Sequence, residues 1–155
     1  MPLDRKEGSG YTMGMGKAHL TAIARNKPST PLLNLLKNGK IVGRRLDYGC
    51  GKGVDARFCS YDAAYDPYYA PQYPEGKFDT VTCTYVLNVV DEKEEAHILS
   101  RIKALLTDTG KAYITVRRDL PTTGKEGKGC FQRYVKLPLP VFEENSGFCT
   151  YVLTK

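Results

Sequence analysis

The sequence has no tryptophan and only two histidines, and its five cysteines are odd in number, scattered and never spaced as C-x-x-C. These scarcities argue against a zinc site built on paired thiolates and against a secreted disulfide framework. Cys50, Cys59, Cys83, Cys130 and Cys149 are expected to be small buried hydrophobes in a reducing compartment. No apolar run approaches the ~20 residues that a membrane-spanning helix needs. Met1–Glu7 lacks the apolar segment of a secretory signal. The expectation is a cytoplasmic protein with no membrane attachment and no metal. Acidic residues are in deficit, 17 against 23 lysines and arginines, a net charge of +6 that favours encounter with polyanions such as nucleic acid. At 155 residues the chain predicts one domain over 1–155, with a polar, glycine-rich arm or lid over residues 1–16 and no room for a separate recognition domain.

What the sequence does contain is a glycine turn, Leu46-Asp47-Tyr48-Gly49-Cys50-Gly51-Lys52-Gly53, entered from a short apolar stretch. Glycines at alternate positions let a backbone turn sharply after a strand and approach a ligand without a Cβ in the way. Asp47 precedes the first glycine by two residues. It would repel a pyrophosphate and attract a ligand carrying a cationic amino group. Asp66 follows about twenty residues on, where the acid after the second strand of a nucleotide-binding βαβ unit accepts hydrogen bonds from ribose hydroxyls.

This pattern resembles the class I S-adenosylmethionine-dependent methyltransferases, whose first motif is an acid, any residue, then Gly-x-Gly-x-Gly. The resemblance runs from about Leu35 to Asp119 and includes Phe78-Asp79-Thr80-Val81-Thr82-Cys83, similar to the family's fourth strand. It implies an α/β fold, a three-layer Rossmann-like sandwich with a mostly parallel sheet closed by a C-terminal antiparallel strand pair. It also implies S-adenosylmethionine as cofactor: Asp47 would hold the methionine amino group, the backbone of Tyr48, Gly49, Cys50, Gly51 and Gly53 would face the cofactor, and Asp66 would grip the ribose. Pro67 and Tyr68 after the second strand, Thr84 and Tyr85 at the end of the fourth, and Lys27 before the packing helix complete the implied cofactor set.

Local signals place these residues. Lys17–Arg25 predicts a short helix, and Ser29 or Thr30 caps a second that Asn38-Gly39 ends. Strands are expected at Arg44–Tyr48, Ala63–Tyr65, Thr80–Val86 and Lys111–Val116, with a short helix over Val54–Cys59. Asp91–Leu106 is the clearest helix, its apolar positions at helical spacing and its acids in the first turn. Phe131–Leu137 and Phe148–Leu153 predict the closing strand pair. Between Asp66 and Phe78 two prolines and no period predict a loop, so the third strand of the family is expected to be missing, with the five tyrosines between Tyr61 and Tyr73 covering the sheet edge.

Methyl transfer is an in-line displacement, in which the protein chiefly aligns the acceptor. Candidates lie after the strands facing the acceptor: Asn88 and Tyr85 as catalytic groups, and Arg117, Arg118, Asp119 and Arg133 as an anion-recognising mouth. That mouth points to a nucleic acid or nucleotide acceptor, with a small molecule as the alternative, or a non-catalytic cofactor-binding module that needs a partner. Cys83 lies inside a strand and is expected to be core, not a nucleophile.

Overall fold

The computed structural model describes residues 27–127 and 129–155. The expected arm over 1–16, the expected helix over Lys17–Arg25, His19 and Lys128 lie outside the described residues.

Helix α1 (Thr30–Lys37) starts where the sequence signals it: Ser29 is the N-cap and accepts from Leu32 N, and Pro31 stands in the first turn, where a missing N–H costs nothing. Strand β1 (Arg45–Tyr48) leads through the glycine turn into a one-turn α2 (Val54–Phe58) and then β2 (Ala63–Tyr65). Strand β3 (Phe78–Thr84) is followed by a 3-10 turn at Leu87–Val89 and by α3 (Glu92–Ala104). Asp91 caps α3, accepting from Glu94 N at 2.8 Å. Then come β4 (Leu106–Arg117), a small hairpin of β5 (Lys125–Gly127) with β6 (Cys130–Gln132), and β7 (Val141–Glu144) with β8 (Phe148–Thr154).

The main sheet has the order β2-β1-β3-β4-β8-β7. Its first four strands are parallel and the last two antiparallel. This is the expected mostly parallel sheet with an antiparallel close. Strand alternation sorts side chains onto two faces. On one face Leu46, Val81, Cys83, Ile114 and Val116 pack with Ile98 and Ile102 of α3. On the other, Tyr113 and Val152 pack with Leu32 and Leu35 of α1. Helices on both faces give the three layers. Full burial of each such aliphatic contributes about 1.5–3 kcal/mol.

Two details differ from expectation. The closing strand is Val141–Glu144, not Phe131–Leu137. Pro138 and Pro140 interrupt any ladder that continues from Phe131, and pairing resumes just past them, where Val152 N donates to Pro140 O at 2.9 Å. Cys130–Gln132 instead pairs antiparallel with Lys125–Gly127 in a separate hairpin. Between β2 and β3 no strand or helix intervenes. Asp66 and Ala70 exchange backbone hydrogen bonds across a tight turn, and Tyr73 packs edge-on against Tyr65 and Tyr48, with ring centroids 5.1 and 6.4 Å apart. Aromatic rings thus cover sheet surface that a helix would otherwise cover.

Candidate functional site

The carboxyl ends of the four parallel strands carry Tyr48-Gly49, Tyr65-Asp66, Thr84-Tyr85 and Arg117-Arg118-Asp119. This edge is where ligands bind in open α/β sheets. The glycine turn crosses it with φ of +85° at Gly49 and +84° at Gly53, values that L side chains rarely adopt. A Cβ on Gly49 would also collide with Cγ2 of Val86.

The turn's amide groups point inward. Gly49 N and Cys50 N both donate to Tyr65 O, Gly53 N donates to Cys50 O, and Gly51 N donates to Asp66 Oδ2 at 2.9 Å. A phosphate cradle needs such N–H groups turned to the ligand. Here those of Gly49, Cys50, Gly51 and Gly53 are taken by Tyr65, Asp66 and the turn's own Cys50, so the turn is not an anion nest. It is a turn whose ligand would be recognised by acids.

Those acids sit on either side of it. Asp47 is 5% exposed, and the hydroxyl of Thr82 donates to its Oδ1 at 3.1 Å, with the Tyr61 hydroxyl 3.1 Å from the same Thr82 oxygen. Its negative charge is felt nearby. Burial first, then Asp47 and Asp66, push the Cys50 thiol up to about 12; burial and then Asp47 raise Tyr61 and Cys83 as well. Asp66 ties two loops together, since its Oδ1 also accepts from Tyr68 N at 2.8 Å and Tyr69 N at 2.9 Å. A carboxylate offers about four lone-pair sites, so three donors leave it able to accept one more. Tyr68 and Tyr69 are half-exposed and pack edge-on. Lys27 is exposed, but the neighbouring Ser29 donates from its N at 2.7 Å and its Oγ at 2.5 Å to the carboxylate of Asp55 in α2. That tie fixes the entry of α1 to the helix that follows the glycine turn.

The acceptor-side candidates come together, though mostly on one another. Tyr85 has φ of +62° and donates its N–H to Thr115 O at 2.8 Å, a left-handed conformation that costs about 1 kcal/mol or more in a non-glycine residue. Asn88 is 1% exposed. Its Nδ2 donates to Gln132 Oε1 at 3.0 Å, and its Oδ1 is buried without a hydrogen bond. Gln132 Oε1 also accepts from Arg117 Nη1 at 2.7 Å, and Arg117 grips Asp119 through Nε at 2.8 Å and Nη2 at 3.1 Å. That fork holds the Asp119 carboxyl below its ordinary range. Arg118 is buried: its side chain is 5% exposed, paired with Glu144 at 2.7 Å, and it donates to Val135 O and Tyr151 Oη. Arg133 pairs with Glu95 of α3.

Three residues at this edge were not singled out in the sequence. Gln132 joins Asn88 to Arg117 and carried no motif signal. Glu94 and Arg101 of α3, with Tyr48, Gly49, Tyr65, Pro67, Val86 and Ile98, line a narrow recess open to solvent, with room for about one water. Helical spacing did carry a signal for Glu94, which falls one turn before Ile98 on the buried stripe. No group of metal-ligating side chains occurs among the described residues, and none of their helices is long and apolar enough to cross a membrane.

Residues 20–145 match the family of methyltransferase domains. No curated protein matches this sequence. Among solved structures, the DhpI–SAH complex has a TM-score of 0.58 at 16% identity, over 96% of this chain and 91% of that one. A TehB-like SAM-dependent methyltransferase from Corynebacterium glutamicum has 0.57 at 18% identity, over the whole of both chains. A protein solved for the conversion of a disulfide bond into a thioacetal group during echinomycin biosynthesis has 0.52 at 20% identity; this chain covers 52% of its length.

Proposed function

We propose a small polar acceptor for this chain, which belongs to the methyltransferase-domain family and is an S-adenosylmethionine-dependent methyltransferase. The residues present fit the cofactor. The N–H groups of Gly49, Cys50, Gly51 and Gly53 are already bonded within the fold, which disfavours a pyrophosphate, and the acids beside the turn suit a cationic amino group and ribose hydroxyls. In this reading Asp47 holds the amino group, with Thr82 fixing its orientation. Asp66 accepts from the ribose, and Gly49 to Gly53, with Pro67, Tyr68, Thr84 and Tyr85, form the walls. When bound, S-adenosylmethionine supplies an electrophilic methyl group on a sulfonium. The chain's own part is to bind, orient and exclude water. Tyr85 and Asn88 follow the end of β3, and a hydrogen bond to the otherwise unbonded Oδ1 of Asn88 would position an acceptor's N–H or O–H.

The observation that carries the choice of acceptor is the pairing of every mouth arginine. Arg117 holds Asp119, Arg118 holds Glu144, and Arg133 holds Glu95. Cations already matched to carboxylates offer a phosphodiester chain little counterion release. A small acceptor needs only the remaining polar wall of Arg117, Gln132 and Asn88. The net charge of +6 favours the second reading, a nucleic acid acceptor. Incubation with labelled S-adenosylmethionine and, separately, DNA, RNA and a metabolite extract separates the two. Label in the extract alone supports the small acceptor. Label in either polymer replaces it, and binding of cofactor with no labelled pool favours a module that needs a partner.

A further inference from the structure

We propose that the amino-end edge of the main sheet, opposite the cofactor edge, holds a phosphodiester backbone without regard to its sequence. The proposal goes beyond the methyltransferase reading and does not depend on where the cofactor binds.

Strands β1, β3 and β4 are parallel and β8 runs against them, so the starts of the first three and the end of the last lie along one edge. Each brings a cation to it. Arg44 precedes β1, Lys77 precedes β3, Lys155 follows β8, and Lys111 of β4 stands in register with Thr80 and Thr154. Lys103, in the last turn of α3, adds another. All five are exposed. Neighbouring strands lie about 4.8 Å apart, which makes the row from β1 to β8 about 15 Å long. That length meets several phosphates, spaced ~3.4 Å apart along each strand of a duplex.

What holds these cations sets them apart from the arginines of the acceptor mouth. Arg117, Arg118 and Arg133 are bound to carboxylates, which cancel their charge. Here the partners are neutral carbonyl oxygens. Arg44 donates to Lys77 O at 2.8 Å and to Glu75 O at 3.0 Å, and its guanidinium lies 4.1 Å from the centroid of the Phe78 ring. Lys77 Nζ donates to Ala104 O at 2.6 Å and Lys155 Nζ to Leu106 O at 3.0 Å, both where α3 ends. A carbonyl fixes an ammonium group, leaves its charge in place and leaves it two further donors. Among the described residues none of the five side chains is paired with a carboxylate. Glu75, Asp79 and Asp108 share this edge but are fewer, and Asp79 already accepts from Arg44 N at 2.8 Å and Thr107 Oγ1 at 3.2 Å. Cations held in position and left uncancelled displace counterions from a phosphate chain. Their arrangement in a line suits such a chain better than the plane of a lipid surface.

Fluorescence anisotropy tests this with the full chain. Labelled DNA duplexes of two unrelated sequences and an RNA strand are titrated at several salt concentrations, alongside vesicles rich in phosphatidylserine. The two DNA sequences should bind alike, with log K falling against log salt at a slope of about −3, or about 0.9 per phosphate contacted. Lys77→Gln with Lys155→Gln should weaken binding about tenfold or more and reduce that slope by about 2. Lys93→Gln with Lys125→Gln removes the same charge from exposed lysines at the other end of the molecule and should leave binding nearly unchanged. If the first pair fails to fold, Lys103→Gln with Lys111→Gln decides in its place. Binding of DNA, RNA or both that follows this pattern supports the proposal and identifies the polymer. No binding of either polymer by the folded wild type, equal weakening by the pairs from the two ends, or binding confined to the vesicles overturns it. Titration of S-adenosylhomocysteine into the same samples reads the cofactor site separately: its binding should be the same in every folded variant, and its failure in the wild type would sink the cofactor reading alone.

Discussion

Gly49 has no freedom to become anything else: its φ of +85° and the approach of Val86 act together. Gly49→Ala should cost about 2 kcal/mol or more through left-handed strain and collision, lowering the urea midpoint and abolishing cofactor binding. Cys50, next to it, looks exposed enough to react but should not. With its thiol pushed up to about 12, by burial first and then by Asp47 and Asp66, the thiolate is a tiny fraction at neutral pH, so alkylation by iodoacetamide should be far slower than for a free cysteine, and rapid labelling would contradict that suppression. Glu94 gives a pH signature. Burial lifts its native carboxyl above the ordinary glutamate range; the native state therefore binds the proton more tightly than the unfolded chain. Stability is lost as pH rises through that window. Glu94→Gln removes the titration, so its melting temperature should gain on the wild type as pH rises above the ordinary glutamate range, whereas a constant difference would contradict the burial. Arg118 read from sequence as part of a mouth, but its guanidinium is enclosed by Glu144, Tyr151 and Val135. Arg118→Met should destabilise by about 2–4 kcal/mol, because Glu144 and the buried acceptors lose their donor, with cofactor affinity of the folded fraction unchanged.

At the scale of elements, the tie from Ser29 to Asp55 links α1 to α2 and so braces the glycine turn from behind. Ser29→Ala removes a cap and that tie, about 1–2 kcal/mol, a fall in melting temperature of about 2–6 °C by thermal scan. Elements set by local rules were legible in the sequence. The cap at Asp91, the breaker at Asn38-Gly39 and the β-branched, apolar run of β3 each depend on residues within one turn or one strand. The closing strand was not legible in the same way. Phe131–Leu137 is apolar enough to pair, yet Pro138 and Pro140 just after it and the 3-10 turn at Leu87–Val89, which it meets through Arg133 N and Asn88 O at 2.7 Å, decide otherwise, and that contact spans more than forty residues. The position of Asp47 and Asp66 at the carboxyl ends of β1 and β2 could be read from their spacing. The pairing of Arg118 and Arg133 with glutamates on other elements could not, since no local pattern connects them.

For the whole molecule, the missing third strand shifts the work of holding a cofactor. With a four-strand parallel edge and tyrosine rings in place of a helix, the proposed reading makes Asp47 and Asp66 the principal polar grips. The net charge of +6 then acts on encounter and not on recognition. The central claim is that this edge binds S-adenosylmethionine through Asp47. Isothermal titration of S-adenosylmethionine into the full chain should give one-site binding, weakened about tenfold or more by Asp47→Asn in a variant whose circular dichroism spectrum is unchanged. A folded wild-type chain that gives no binding, or an Asp47→Asn variant that binds as tightly as the wild type, would contradict it.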